Sequence, residues 1–389
     1  MDSVFAERMK SLGTETGFEV LAKARALEKQ GKDIVHLEIG EPDFDTPKNI
    51  KDAAVRAINA DYTHYVPSVG VPELRQAIAD HIFKTRNLNV SPEEVVVTSG
   101  GKPIMFYTIL ALVNPGDEVL YPNPGFPTYE SLINFVGAKP VPIPLEEKND
   151  FSLDHEYVKK AITKRTKLII INSPENPTGG ILTREDLKAI ADGIVNRDDV
   201  FVLSDEIYSR IIYEGKHESI TALPGMKDKT ILLDGFSKTY AMTGWRLGYG
   251  VMRKDLTPKF AQLITNSNSC TSAFTQMAGV EALTGPQNEE EKMITEFRKR
   301  REVIVKGLNN IKGITCNKPR GAFYAFPNIK GTGMNSRELG EYLMNNGIAV
   351  LPGTSFGKYG EGYLRLSFAN SVENIKKALD RIAEALEKH

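Results

Sequence analysis

Four apolar runs in the 389-residue chain end in polar residues able to do chemistry. VVVTS (95–99) runs into Ser99-Gly100-Gly101-Lys102. KLIIIN (167–172) runs into Asn172-Ser173-Pro174-Glu175-Asn176-Pro177-Thr178-Gly179. VFVLSD (200–205) ends in Asp205, with Tyr208 three residues on. TILLDGF (230–236) is followed by Ser237 and Lys238. In an open α/β sheet ligands bind beyond the carboxyl ends of the strands, so four such ends weigh more together than singly.

Each group suits a distinct task. Ser-Gly-Gly between a strand and a helix offers backbone N–H groups to a phosphate at the positive helix end. A tight turn that needs small residues explains it equally well. Arg246, in the apolar context TGWRLGYG, can add a bidentate cation for the same anion. Asp205 closes an apolar run, and a poorly solvated carboxylate needs a cationic or hydrogen-bonded partner. A helix cap would serve. So would a protonated pyridine nitrogen, which turns the charge to chemical use. If a helical turn begins there, Tyr208 lies on the same side, and its hydroxyl and the Asn176 amide can reach a phenolic oxygen on that ring. Simple turn chemistry also accounts for Asn176 in Asn-Pro-Thr-Gly. Lysine, with a pKa of about 10.4, is a poor nucleophile unless burial and nearby cations lower it. By itself a Ser-Lys pair is usually surface. Lys238 gains meaning beside Asp205, Asn176 and Arg246 in this order.

The elements that must position these groups alternate. Helical patterns at 19–30, 47–60, 72–87, 103–113, 126–136 and 183–196 are interleaved with β-rich runs at 33–39, 95–99, 118–122, 139–145, 167–172, 200–205, 230–236 and 246–252. Such alternation implies crossover connections and a mostly parallel central sheet covered on both faces, an α/β fold. After Pro286 a long charged helix pattern (287–311) leads into short strands at 321–327, 347–353 and 363–369, mixed with helices at 336–346 and 371–387. The expected organisation is a large domain over 47–286 and a smaller α+β domain over 287–389.

Composition removes other classes. Lys+Arg is 49 and Asp+Glu is 50, a net charge of -1, so the basic excess needed for nucleic acid or an anionic membrane is missing. The two cysteines, Cys270 and Cys316, form no CxxC pair and suggest thiols in a reducing compartment. No run approaches about 18 apolar residues, and MDSVFAERMKSLG has no signal-peptide pattern, so the expected location is cytoplasmic. His36, His64, His81, His155 and His217 are scattered without metal-ligand spacing, and no metal is expected.

Taken together, IGEPDFDTP (39–47), YVPSVGVPELRQAI (65–78), SGGK, PNPGFPTY, NSPENPTGG, SDEIY, GFSKTYAMTGWRLGY and LRLSFA (364–369) resemble the class I/II aminotransferases of fold type I pyridoxal-phosphate enzymes. The prokaryotic aspartate aminotransferase-like subfamily is nearest, and nearly the whole chain is covered. The resemblance implies pyridoxal 5'-phosphate as cofactor and Lys238 as its Schiff-base lysine. It implies that Asp205 pairs with the pyridine nitrogen, and that Tyr208 and Asn176 are partners of the phenolic oxygen. Gly100, Gly101, Lys102, Ser237 and Arg246 fall in the phosphate segments, and Phe126 in the place of the stacking aromatic. Arg365 matches the arginine that grips the substrate carboxylate, with Gly40 and Asn176 beside it. Tyr65 matches a tyrosine reaching the neighbouring subunit's cofactor, which implies a homodimer with shared sites. The resemblance also places residues 1–46 with the small domain.

The expected reaction is ping-pong transfer of an amino group from an L-amino acid to a 2-oxo acid; a pyridoxal-phosphate C–S lyase or related carbanion chemistry is the alternative. Gly235 stands where some relatives carry a phosphate-binding serine. No second basic residue for an acidic side chain is evident; Lys102 and Arg320 are weak candidates. Phe18, Phe126, Phe323 and Tyr324 suggest either an aromatic-lined pocket or core. Gly353–Gly357 fits G-x-S-x-G, but a hydrolase elbow needs a following helix. The only later histidine is His389.

Overall fold

The structure is a computed structural model that describes residues 4–388. Residues 1–3 of the N-terminal stretch MDSVFAERMKSLG, and His389, lie outside the described residues.

Twelve strands, β1 to β12 in chain order, form three sheets among the described residues. The central sheet has seven strands: β2 (Val95–Thr98), β3 (Glu118–Asn123), β4 (Lys139–Pro144), β5 (Thr166–Asn172), β6 (Phe201–Asp205), β7 (Thr230–Gly235) and β8 (Gly248–Val251). Their order is β2-β8-β7-β6-β5-β3-β4. From β7 to β4 all neighbours are parallel; β8 runs antiparallel to both β7 and β2. Helices cover both faces, so β2, β3, β6, β7 and β8 are buried along their whole length. The Val/Ile/Leu runs reflect that double burial.

β1 (Val35–His36) pairs in parallel with β10 (Ile348–Ala349). β9 (Tyr324–Ala325), β12 (Leu364–Ser367) and β11 (Leu351–Pro352) form an antiparallel trio. One hydrophobic core unites β1, β9, β10 and β12 with the helices Asn288–Asn309 and Val372–Glu387 through Phe297, Ile304, Phe323, Phe368, Ile375 and Leu379, while Leu351 of β11 packs in a second core with Phe326 and Phe356. Residues 33–39 give only two strand residues, because the ladder with β10 is that short. Beyond it Leu37 still donates to the Ala349 carbonyl at 2.9 Å.

Besides the short helix His155–Ala161, two longer helices lie outside the expected elements, Thr257–Ser267 and Ala273–Thr284. The second is apolar or small around most of its circumference, with Ala273, Thr275, Gln276, Ala278, Gly279 and Ala282 buried, so no amphipathic stripe marks it. No helix follows Asp205 either. Hydrogen-bonded turns do, with Ser209 N–H donating to Glu206 O and Ile211 N–H to Tyr208 O, both at 2.8 Å.

Candidate active site

The parallel strands β5, β6 and β7 deliver their carboxyl ends to one cavity of about 590 Å³. Its lining includes Gly40, Gly101, Lys102, Phe126, Asn176, Asp205, Tyr208, Ser237, Lys238, Arg246 and Arg365. Register does much of the placing. Asn172 at the end of β5 sits opposite Asp205 at the end of β6. Its Nδ2 donates to the Asp205 carbonyl at 2.9 Å, and its Oδ1 accepts the Asn176 N–H at 3.0 Å.

Asp205 is buried, and no ion pair reaches its carboxylate among the described residues. Oδ2 accepts the Tyr129 hydroxyl at 2.8 Å and Oδ1 the Ile207 N–H at 3.3 Å. Burial pushes its pKa up to about 6, aided by the charges of Asp234 and Glu206 and opposed by the two hydrogen bonds. With no helix behind it, Asp205 is not a helix cap. Lys238 is no surface lysine: it faces the cavity and donates from Nζ to the Gly40 carbonyl at 2.5 Å. Burial brings its pKa down to about 8, with Arg365 and Arg246 pushing the same way and Glu41 opposing.

On the other wall, Arg365 projects from β12. Its Nη1 donates to Asn176 Oδ1 at 3.1 Å and its Nη2 to the Glu38 carbonyl. The guanidinium lies 4.5 Å from the Tyr324 ring centroid and 5.0 Å from that of Phe356. Its Nε is buried with no hydrogen-bond partner. Tyr208 shares a hydrogen bond with Tyr324, hydroxyl to hydroxyl, at 2.7 Å; burial holds the Tyr208 phenol well above its usual pKa. Gly40 has to be glycine: a Cβ there would come within 2.1 Å of the Tyr324 hydroxyl.

The turn after β2 is close-fitting. Gly100 has φ +92 and does not itself line the cavity, and a Cβ on it would lie 2.2 Å from Arg246 Nη2. Arg246 is exposed, with φ +54, and its Nη1 is anchored to the Thr243 carbonyl at 2.6 Å. Gly235 packs against β8: a Cβ would meet the Gly248 Cα at 3.0 Å, which accounts for glycine instead of serine at this position.

Some expected residues stand apart. Tyr65 is 88% exposed and away from this cavity. Arg320 bonds to the Ile181 carbonyl and does not line the cavity, and Phe323 is fully buried in the core. Gly353–Phe356 forms a short 3-10 turn, not an elbow before a helix.

Other residues join the site without having been singled out. Tyr129, Phe356 and the segment Glu15–Gly17 all line it. Glu15 forms an ion pair with Lys102, whose ammonium also sits 5.4 Å over the Phe126 ring. Tyr129 lies in the PNPGFPTY stretch, but nothing local marks its hydroxyl as a partner of a residue 76 positions away.

A family model for aminotransferase class I and II matches residues 32–382. The chain is 42% identical over 390 residues to an aspartate aminotransferase of Pyrococcus horikoshii, covering 98% of this chain and 97% of that one. It is 39% identical over 358 residues to aromatic-amino-acid aminotransferase 2 of Thermococcus litoralis, covering 91% and 92%. A solved structure of the aspartate aminotransferase from Thermus thermophilus with maleate superposes with a TM-score of 0.94 at 37% identity, covering 98% of this chain and 99% of that one.

Proposed function

The chain belongs to the class I and II aminotransferase family, and from that premise we propose how its cavity moves an amino group from an L-amino acid to a 2-oxo acid. The observation that carries the proposal is the meeting of Lys238, Asp205 and Arg365 around one cavity.

The cavity's chemistry fits pyridoxal 5'-phosphate. Asp205 is a buried carboxylate with hydrogen bonds but no cation, as a protonated pyridine nitrogen requires. The glycine turn packed on Arg246 suits a phosphate, with Gly101, Lys102 and Ser237 beside it. Lys238 would hold the cofactor through its amine, which burial biases toward the neutral, nucleophilic form. Tyr208 and Asn176 would hold its phenolic oxygen, and Phe126 would stack on the ring. When bound, the cofactor supplies an aldehyde for the amino group and an electron-withdrawing ring that stabilises charge developing at the substrate Cα.

The remaining work falls to side chains. Arg365 binds the α-carboxylate, for which its unpartnered Nε is one available donor, and fixes the orientation of the Cα–H bond. The Lys238 amine would take the Cα proton as base and, as acid, deliver it to the cofactor carbon that carried the aldehyde instead of back to Cα, a role suited to a pKa of about 8. Asp205 holds the proton on the ring nitrogen. No observation favours a C–S lyase. Further parts of the reading are a homodimer in which exposed Tyr65 serves the neighbouring site, a cytoplasmic location, and boundaries near residues 46 and 286. Among the described residues no helix is long and apolar enough to cross a membrane.

Lys238→Ala tests the core of the proposal. The expected outcome is loss of the absorbance band of the covalently held cofactor together with nearly all turnover. A variant that kept both would refute it.

A further inference from the structure

Tyr324 stands on β9 opposite Ser367, two residues beyond Arg365 on β12. Side chains two apart on a strand share a face, so the Tyr324 ring lies beside the Arg365 guanidinium, 4.5 Å from it. The ring also packs on Phe323 at 4.9 Å and edge-on to Tyr208 at 5.7 Å. It lines the cavity, yet it is almost wholly buried, and its hydroxyl fills the space that a Cβ on Gly40 would need. Among the described residues the Tyr208 oxygen, at 2.7 Å, is the one hydrogen-bond partner of that hydroxyl. The charged and titratable groups facing the pair are Arg365 from β12, Asp205 from β6, Tyr129 from the helix Thr128–Phe135, Glu15 from the N-terminal segment and Lys238 on the same cavity.

Each hydroxyl has a single proton to donate, and either one can donate across this bond. A negatively charged phenolic oxygen is a better acceptor than a neutral hydroxyl, so Tyr208 spends its proton on the cofactor. The bond between the tyrosines then runs from Tyr324 to Tyr208. A hydroxyl that accepts a hydrogen bond is polarised and becomes a stronger donor in turn. We infer that Tyr324 is a positioning residue for the reaction: it fixes the direction of the Tyr208 hydroxyl and strengthens its hold on the cofactor's phenolic oxygen. This rests on the proposed contact of Tyr208 with that oxygen.

The test is a pH titration of the absorbance of the cofactor-loaded protein without substrate. The colour changes as the nitrogen joining the cofactor to Lys238 loses its proton. A hydrogen bond to the phenolic oxygen favours that loss by stabilising the negative charge left behind, so weaker donation raises the midpoint. Tyr324→Phe removes the hydroxyl and keeps the ring against Phe323, Tyr208 and Arg365. Tyr208→Phe should raise the midpoint by about one pH unit, the scale of one hydrogen bond to a charged group. Tyr324→Phe should raise it by at least about 0.2 pH units, because cooperative strengthening is roughly 10–30% of a bond and lost orientation adds to it. The double variant should match Tyr208→Phe alone, because Tyr324 acts through Tyr208. An unchanged midpoint in Tyr324→Phe, with Tyr208→Phe shifted, would overturn the inference alone. A lowered midpoint would also overturn it, by showing that Tyr324 draws the Tyr208 proton away from the cofactor. So would additive shifts in the double variant. If neither single variant shifts, the Tyr208 contact fails and takes the inference with it.

Discussion

Replacing Tyr129 by Phe removes one oxygen and leaves the ring in its core packing, edge-on to Phe126 at 5.7 Å. That oxygen donates to Asp205 Oδ2 at 2.8 Å in a fully buried setting. Burial alone drives the Asp205 pKa upward, and this hydrogen bond is the largest influence holding it down to about 6. A hydrogen bond to a charged group is worth about 1.5–3 kcal/mol, and about 1.36 kcal/mol corresponds to one pH unit. Its loss should raise the midpoint of Asp205 ionisation in the cofactor-free protein by about one to two pH units. The ionised carboxylate is the form that pairs with a protonated ring nitrogen. Wild-type affinity for pyridoxal phosphate should therefore weaken as pH falls through about 6, and the variant should weaken already between roughly pH 7 and 8. Fluorescence titration of cofactor-free protein with pyridoxal phosphate from pH 5 to 9 reads this directly. Coincident pH profiles for the two proteins would show that Tyr129 does not hold the charge on Asp205.

Two further outcomes follow from buried groups near the site. Arg86 is buried between Glu206 and Asp234, at 2.7 and 2.5 Å, with His217 and Ser219 also bonded to Glu206. Arg86→Met should cost about 3–5 kcal/mol at pH 8, measured by urea denaturation, because it strands buried carboxylates. Burial already holds the Asp234 pKa above its ordinary value. Its folded form thus keeps a proton that the unfolded form gives up, and stability falls as pH rises through that window. Without Arg86 the window extends upward, so the deficit should shrink at pH 5.5; an equal deficit at both pH values would contradict this. Gly100→Ala places a Cβ 2.2 Å from Arg246 Nη2 at φ +92. Equilibrium dialysis should show pyridoxal-phosphate affinity lowered about tenfold or more, the scale of one charge-assisted hydrogen bond to the phosphate. Unchanged affinity would remove Arg246 from the phosphate site.

Much of the fold was legible because its signals are local. Buried parallel strands must be continuous apolar runs, so KLIIIN and VFVLSD announce β5 and β6 directly. The chemical residues at their ends follow within a few positions, and register then lines those ends up. The helix Ala273–Thr284 has no such local signal, because burial on several sides erases the stripe that periodicity detects.

By itself the sequence determined that Lys238, Asp205, Asn176 and the Gly100–Gly101 turn would face one another, since parallel strands joined by crossovers leave all carboxyl ends on one edge. Only the tertiary structure decided what each side chain meets there. Asp205 is held by Tyr129, 76 residues away; Asn176 by Arg365, 189 away; Tyr208 by Tyr324, 116 away; and Lys102 by Glu15, 87 away. Neither residue of such a pair carries a local mark of the other. The pairing exists only because strands, turns and the N-terminal segment pack around one cavity, and that packing brings the Tyr129 hydroxyl to Asp205 and the Glu15 carboxylate to Lys102.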